Sequence, residues 1–174
     1  METAQRISIA DLKGVDIFAG LSDENLEDIA KYCTQRTYRA GEYPAVQGKT
    51  TDQLLIVNGG KVAIEMWIEV PRHSYTMTIA TLEKGRVCAW SALVPPHVLT
   101  ASAKCVENTS LIAIRDNDLQ RILTTKPTLE ATVMRNLASV ISSRLRDSHT
   151  QLTRLCAEVL KEGLKHRGTG TTLI

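Results

Sequence analysis

The stretch "GRVCAWSALVPPHVLTAS", residues 85–102, holds an indole at Trp90, paired prolines at 95 and 96, an imidazole at His97 and a run of small residues, and from Val87 onward it carries no formal charge. Backbone amides at Ser91, Ala92 and Leu93 can point at an anion, the Thr100 hydroxyl can donate, and the indole N–H of Trp90 is a donor only. This is recognition chemistry without a charge pair. It suits a neutral or weakly acidic small molecule.

Metal and redox chemistry find little support. Cys33, Cys88, Cys105 and Cys156 are scattered with no CxxC pair, and His73, His97, His149 and His166 are equally dispersed. Zinc sites and disulfide frameworks need closer or repeated spacing, so free thiols are expected, with histidines in packing or surface roles and no cofactor. An enzyme on a β-roll, such as a cupin, needs a His-rich cluster or an acid/base pair on its strands. Only His73 falls near a strand, and no catalytic or metal-binding residue is assigned.

The chain has 174 residues, 43% of them hydrophobic, enough for one ordinary core with an extension. Twenty-one basic against nineteen acidic residues leave a net charge of +2, too small for a global field that would draw in nucleic acid or membrane. The opening "METAQRISIADLK" lacks the apolar run of a signal peptide, which points to a cytoplasmic protein without a membrane partner.

Three stretches with different periods position these residues. In "SDENLEDIAKYC", residues 22–33, Leu26, Ile29, Ala30 and Cys33 recur at helical spacing behind Ser22, a good N-cap. From about residue 34 to 115, short runs of β-formers ("LLIV", "KVAIEMWIEV", "YTMTIATLE", "TASAKCV", "SLIAIR") alternate with turn signals. Gly41 and Gly48 suit positive φ, and "NGG" at 58–60 suits a hairpin with Asn58 and Gly59 in the left-handed positions. Asp116 and Asp118 can cap a short helix around "LQRILTT", and Pro127 suits the first position of a longer one. From Met134, positions 134, 138, 141, 145, 148, 152, 155 and 159 read Met, Ala, Ile, Leu, Ser, Leu, Leu, Val, a heptad seam broken only by Ser148. The far half of that seam extends past what one small domain can cover, which predicts a parallel homodimer through the helix.

The order and spacing of "IFAGLSDENLEDIAKYC", "RAGEYPAVQGKTTDQLLIVNGGKVAI" and "RNLASVISSRL", covering roughly residues 12 to 150, resemble the cyclic-nucleotide-binding domain of the CRP/FNR regulator family. The resemblance implies a mainly β fold with flanking helices: an eight-stranded antiparallel, jelly-roll-like β-roll plus a long C-terminal dimerisation helix. It divides the chain into a roll with N-terminal helices (1–126), the helix (127–167) and a frayed tail (168–174).

The resemblance makes residues 85–102 a phosphate-binding cassette. In the family a Gly-Glu pair opens it, the carboxylate accepting from a ribose hydroxyl, and an Arg neutralises the cyclic phosphate. Aligned by "LEKG" and "SAL", this sequence places Ala89 at the glycine, Trp90 at the glutamate, Ser91, Ala92 and Leu93 in the short helix, Leu99 at the arginine, and Thr100 and Ala101 at the pair that follows. Ser148 and His149 fall where the dimer helix would touch the base. Both charged ligand groups are absent, and removing one partner of a buried charge pair typically costs ~3–5 kcal/mol, about two to four decades of affinity. Ordinary cyclic AMP binding is therefore disfavoured. Either the pocket takes another small effector, or Trp90, Leu93 and Leu99 plug it and the domain serves as a structural or interaction dimer. Arg72, His73, Arg86 and His97 are the turn and loop groups that would have to swing in to restore a charge, and they are expected to remain solvated. Family members usually continue into a winged helix-turn-helix. Here only "LTRLCAEVLKEGLKHRGTGTTLI" follows the seam, so no DNA-binding module is expected in this chain. Lys161, Lys165, His166 and Arg167 suit a helix C-terminus.

Overall fold

A computed structural model describes residues 6–70 and 73–168. Arg72 and residues 169–174 lie outside the described residues, as do the side chains of His73, Lys165, His166 and Arg167. The chain enters through α1 (Ile9–Leu12), a one-turn helix (Asp16–Phe18) and α2 (Asp23–Ala30). The Ser22 hydroxyl accepts from the Asn25 amide at 3.3 Å, the N-cap bond its position predicts.

Six strands follow: β1 (Thr34–Tyr38), β2 (Gln53–Gly59), β3 (Val62–Val70), β4 (His73–Leu82), β5 (Ser102–Cys105) and β6 (Thr109–Arg115). They form two antiparallel three-stranded sheets, ordered β1-β6-β2 and β4-β3-β5. The expected count of eight is thus not met among the described residues. The segments around Ala45, Thr50, Val87 and Val98 join the roll through single bridges only. Their backbones bend too soon to build ladders: Gly48 and His97 sit at φ 78° and 60°, and prolines at 95 and 96 offer no N–H.

The apolar run "LLIV" lacks alternation because both faces of β2 are buried. Leu54 and Ile56 point to the helices and share a core with Ile112 and Ile114 of β6, Leu12, Phe18, Leu26 and Ile29. Leu55 and Val57 point into the roll and pack with Val62, Ile64, Leu82, Leu99 and Leu111.

The turn after β2 differs from expectation. Neither Asn58 nor Gly59 is left-handed; a register shift between Val57 and Gly59 moves the positive φ to Gly60, at 83°. The bulge absorbs one residue of the turn, so the reversal falls one position later than a two-residue hairpin would place it. A Cβ at Gly60 would meet the Asn108 carbonyl oxygen and Thr109 Oγ1 at 2.7 Å each, whereas one at Gly59 would meet only Ser110 Oγ, at 3.1 Å. Gly60→Ala should therefore lower the stability by at least about 2 kcal/mol, the left-handed penalty plus the clash, and Gly59→Ala by clearly less. Urea midpoints of the two variants check this, and the reverse ranking would restore the simpler hairpin.

Asp116 and Asp118 stand in the first turn of α3 (Asp116–Thr125) and not at its cap, which is Arg115 with no side-chain cap bond. Their charges complement the helix N-terminus instead. Pro127 opens α4 (Pro127–Gly168) as its fixed φ predicts. The first turns of α4 seat Leu129, Val133, Leu137 and Val140 in the helix-side core, with Met134 and Ile141 half-buried beside them. Asn136 Nδ2 donates to the carbonyls of Ile17 and Ala19 at 3.2 and 2.9 Å, clamping the entry turn to α4. Beyond Ile141 the apolar members of the seam leave the domain, and only Ser148 still reaches the roll. Leu145, Leu152, Leu155 and Val159 are 55, 52, 39 and 61% exposed.

Candidate functional site: a closed cassette beside an α4 guanidinium

Residues 85–102 fold as a loop pinned at both ends. Val57 N donates to Arg86 O and Cys88 N to Leu55 O, each at 2.9 Å, tying the start to β2. Gly48 N donates to Leu99 O at 2.8 Å, and Leu99 N to Lys49 O at 2.9 Å, tying the end to the segment before β2. Between these anchors, Trp90–Leu93 form a one-turn helix. His97 is tethered to that turn, its Nδ1 2.8 Å from Ala92 O, which keeps the imidazole inside its own loop.

The cassette, β3, β4 and α4 line a small, partly open cavity of about 50 Å³. Pockets that hold small-molecule ligands run roughly 300–1,000 Å³, so the space is a remnant. Among the residues assigned to ligand contact from sequence, the structure brings Ala89, Trp90, Ser91, Leu99, Thr100, Ala101 and Ser148 to its wall. Ala92 and Leu93 are buried but absent from the wall, and His149 is exposed and also absent. The indole of Trp90 is half-buried against the helix-side core and the isobutyl of Leu99 is part of the roll core. The Ser148 hydroxyl donates to Arg144 O at 3.0 Å along the helix.

The charge that sequence reasoning sought in turns and loops comes from α4. Arg144 lines the cassette cavity and also an adjacent open cleft of about 690 Å³ between α4 and the turn after β4. Its side chain is 16% exposed and its ion-pair partner is Asp147, at 3.6 Å. Burial pulls its pKa below the ordinary guanidinium value, against the opposing pull of Asp147 and Asp16. The signal was present in the sequence, since Arg144 lies four residues before Ser148 and so shares its helix face. Arg86, by contrast, is turned to the open cleft, 63% exposed and 3.8 Å from Asp16.

Burial also dominates at two neighbours. It pushes the Cys88 thiol up to about 12, so this group on the cavity wall stays neutral and unreactive at physiological pH. It raises the Asp16 carboxyl above the ordinary 3.8, outweighing the Ile17 amide and the Arg86 charge. A folded carboxyl with a raised pKa binds its proton more readily than the unfolded one, so stability falls as pH rises from the unfolded value through the folded one. Asp16→Asn keeps the acceptor for Ile17 N and removes the ionisation. The variant should match or exceed the wild type in thermal stability at pH 7, with the gap closing as pH falls towards 3.8. A destabilised variant at pH 7 would mean that the ion pair to Arg86 outweighs the desolvation.

Among the described residues no group of three or more His, Cys, Asp or Glu is arranged to hold a metal ion, and no helix is long and apolar enough to cross a membrane.

A β-roll entered by short helices, closed by a long helix and carrying a pinned cassette defines a class of ligand-pocket domain. The model of the cyclic nucleotide-binding domain matches residues 35–126, just over half of the chain, and the chain belongs to that family. It is 29% identical over 147 residues to the cyclic AMP receptor protein of Thermus thermophilus, covering 84% of this chain and 65% of that protein. The crystal structure of the Thermus thermophilus catabolite activator protein is similar with a TM-score of 0.66 at 28% identity, over 81% of this chain and 63% of that one. A cyclic nucleotide-binding domain from Methylobacillus flagellatus shares the fold with a TM-score of 0.72 at 19% identity, over 84% and 83%. The chain thus spans just under two thirds of the length of the Thermus proteins.

Proposed function

We propose that this chain is a non-catalytic regulatory domain of the CRP/FNR type whose cassette does not hold a cyclic nucleotide in the usual way, and whose output passes through a homodimer along α4. The single observation that carries this reading is the cassette cavity of about 50 Å³, walled by Trp90 and Leu99 where relatives of the pattern hold a carboxylate and a guanidinium. An indole and an isobutyl group replace both the charge and the room that a nucleotide needs. Family membership supports the regulatory role, and the exposed seam of α4 supports the dimer. The division into a roll (1–126), a dimerisation helix (127–167) and a tail follows from the same reading, as does a cytoplasmic location.

A second reading, an interaction dimer whose pocket serves only packing, is favoured by the seating of Trp90 and Leu99 in the two hydrophobic cores. The two readings part at the cavity. Crystals grown with millimolar cyclic AMP test the shared claim: the cavity should remain closed by Trp90 and Leu99, and nucleotide density between the cassette and α4 would overturn it.

A further inference from the structure

The cassette cavity has an unbalanced wall. Among the described residues Arg144 supplies its one formal charge, Ser91, Thr100 and Ser148 add hydroxyls, and no Asp or Glu lines it. Cys88 contributes a neutral thiol that donates to Leu55 O at 3.4 Å. Asp147, the carboxylate paired with Arg144, lines the open cleft and not the cavity, at 3.6 Å and 40% exposed. Asp16 and Arg86 also face the cleft side, where they pair with each other. Arg144 therefore sits between a small, partly open space whose described wall holds no carboxylate and the cleft, where its guanidinium lies 3.6 Å from Asp147. A guanidinium offers five donors in a planar fork, suited to two oxygens of one anion.

Resting on the reading of a closed cassette, we infer that this cavity is a binding site for a small planar monoanion, a carboxylate or an inorganic oxyanion of a few atoms, held by Arg144 of α4 with Ser148 and Thr100 at its rim. Size sets the class. A space of about 50 Å³, far below the roughly 300–1,000 Å³ of pockets that hold drug-sized ligands, limits the occupant to a few atoms, such as formate or nitrate, and excludes a nucleotide. Because Arg144 and Ser148 stand on the same helix that carries the exposed seam, an anion competing with Asp147 for the guanidinium would bear directly on the position of α4. Occupancy and helix arrangement are then linked, provided the anion contacts differ between two arrangements.

The test titrates the full chain with sodium formate at constant ionic strength, chloride serving as the balancing salt, and reads the thermal midpoint. The wild type should show a saturable rise, lost in Arg144→Met and kept in part in Arg144→Lys. Crystals soaked in sodium nitrate should show planar density beside Arg144 that the methionine variant lacks. An equal rise in wild type and Arg144→Met, or a cavity holding only water in the nitrate-soaked crystals, overturns the inference. Cyclic AMP titrated in parallel reports on the other claim: saturable heat with the nucleotide overturns the closed cassette, whereas a null result with formate overturns only the anion site.

Discussion

A chain carrying Ala89→Gly, Trp90→Glu and Leu99→Arg should bind cyclic AMP at least about a hundredfold more tightly than the wild type. The three changes restore the missing chemistry and remove the two groups that fill the space. A guanidinium at 99 would neutralise the phosphate, a carboxylate at 90 would accept from the ribose hydroxyl, and loss of the indole would open the cavity beside α4. Restoring one partner of a buried pair is worth ~3–5 kcal/mol, two to four decades in dissociation constant. The anchors at Arg86, Cys88 and Leu99 are backbone bonds, so the loop should keep its course when these side chains change. Circular dichroism and the thermal midpoint establish that the variant is folded. A folded variant with no gain in affinity would show that the charged pair is not what the wild-type cassette lacks.

Replacing Leu152 and Leu155 by Asp should convert a dimer into a monomer with the roll intact. Both residues are exposed on the isolated chain, at 52 and 39%, in a seam whose earlier members Met134 and Ile141 pack against the domain. A fully buried Leu contributes roughly 1.5–3 kcal/mol. Even half of that at four positions in a two-fold pair is about 3 kcal/mol, a hundredfold in the dissociation constant before the cost of burying four carboxylates is counted. Light scattering on the purified protein reads the mass directly. A wild type that is monomeric at high concentration, or a variant that remains a dimer, would remove α4 from the assembly.

The sequence carries the elements well where one local rule decides them. Ser22 caps α2 because its hydroxyl has an amide within reach, and Pro127 opens α4 because its ring already holds a helical φ. "LLIV" reads as a strand because four β-formers stand between turn signals, whereas the burial of both its faces comes from the packing of β2 beside β6. Where two rules compete, local reading fails. The turn at "NGG" follows the bulge between Val57 and Gly59, a property of the pairing with β6 rather than of the tripeptide. The eight-strand count fails because Gly48 and His97 turn backbones that otherwise make ladder-like bonds.

At the site, the absence of charge from the cassette is legible in the residues themselves. The size of the space they leave is not, since it depends on how Trp90 and Leu99 settle into two separate cores. Arg144 escaped for a related reason. On a helical wheel it shares the face of Ser148 but looks like any solvated base there, and the approach of α4 to the cassette brings it to the wall that Cys88 and Ser91 also line.

Isothermal titration of the wild-type chain with cyclic AMP and with cyclic GMP decides whether the cassette excludes nucleotides. With no cation at position 99 and no carboxylate at position 90, neither nucleotide should give saturable heat corresponding to a dissociation constant below about 100 µM. Saturable micromolar binding of either one would contradict the account.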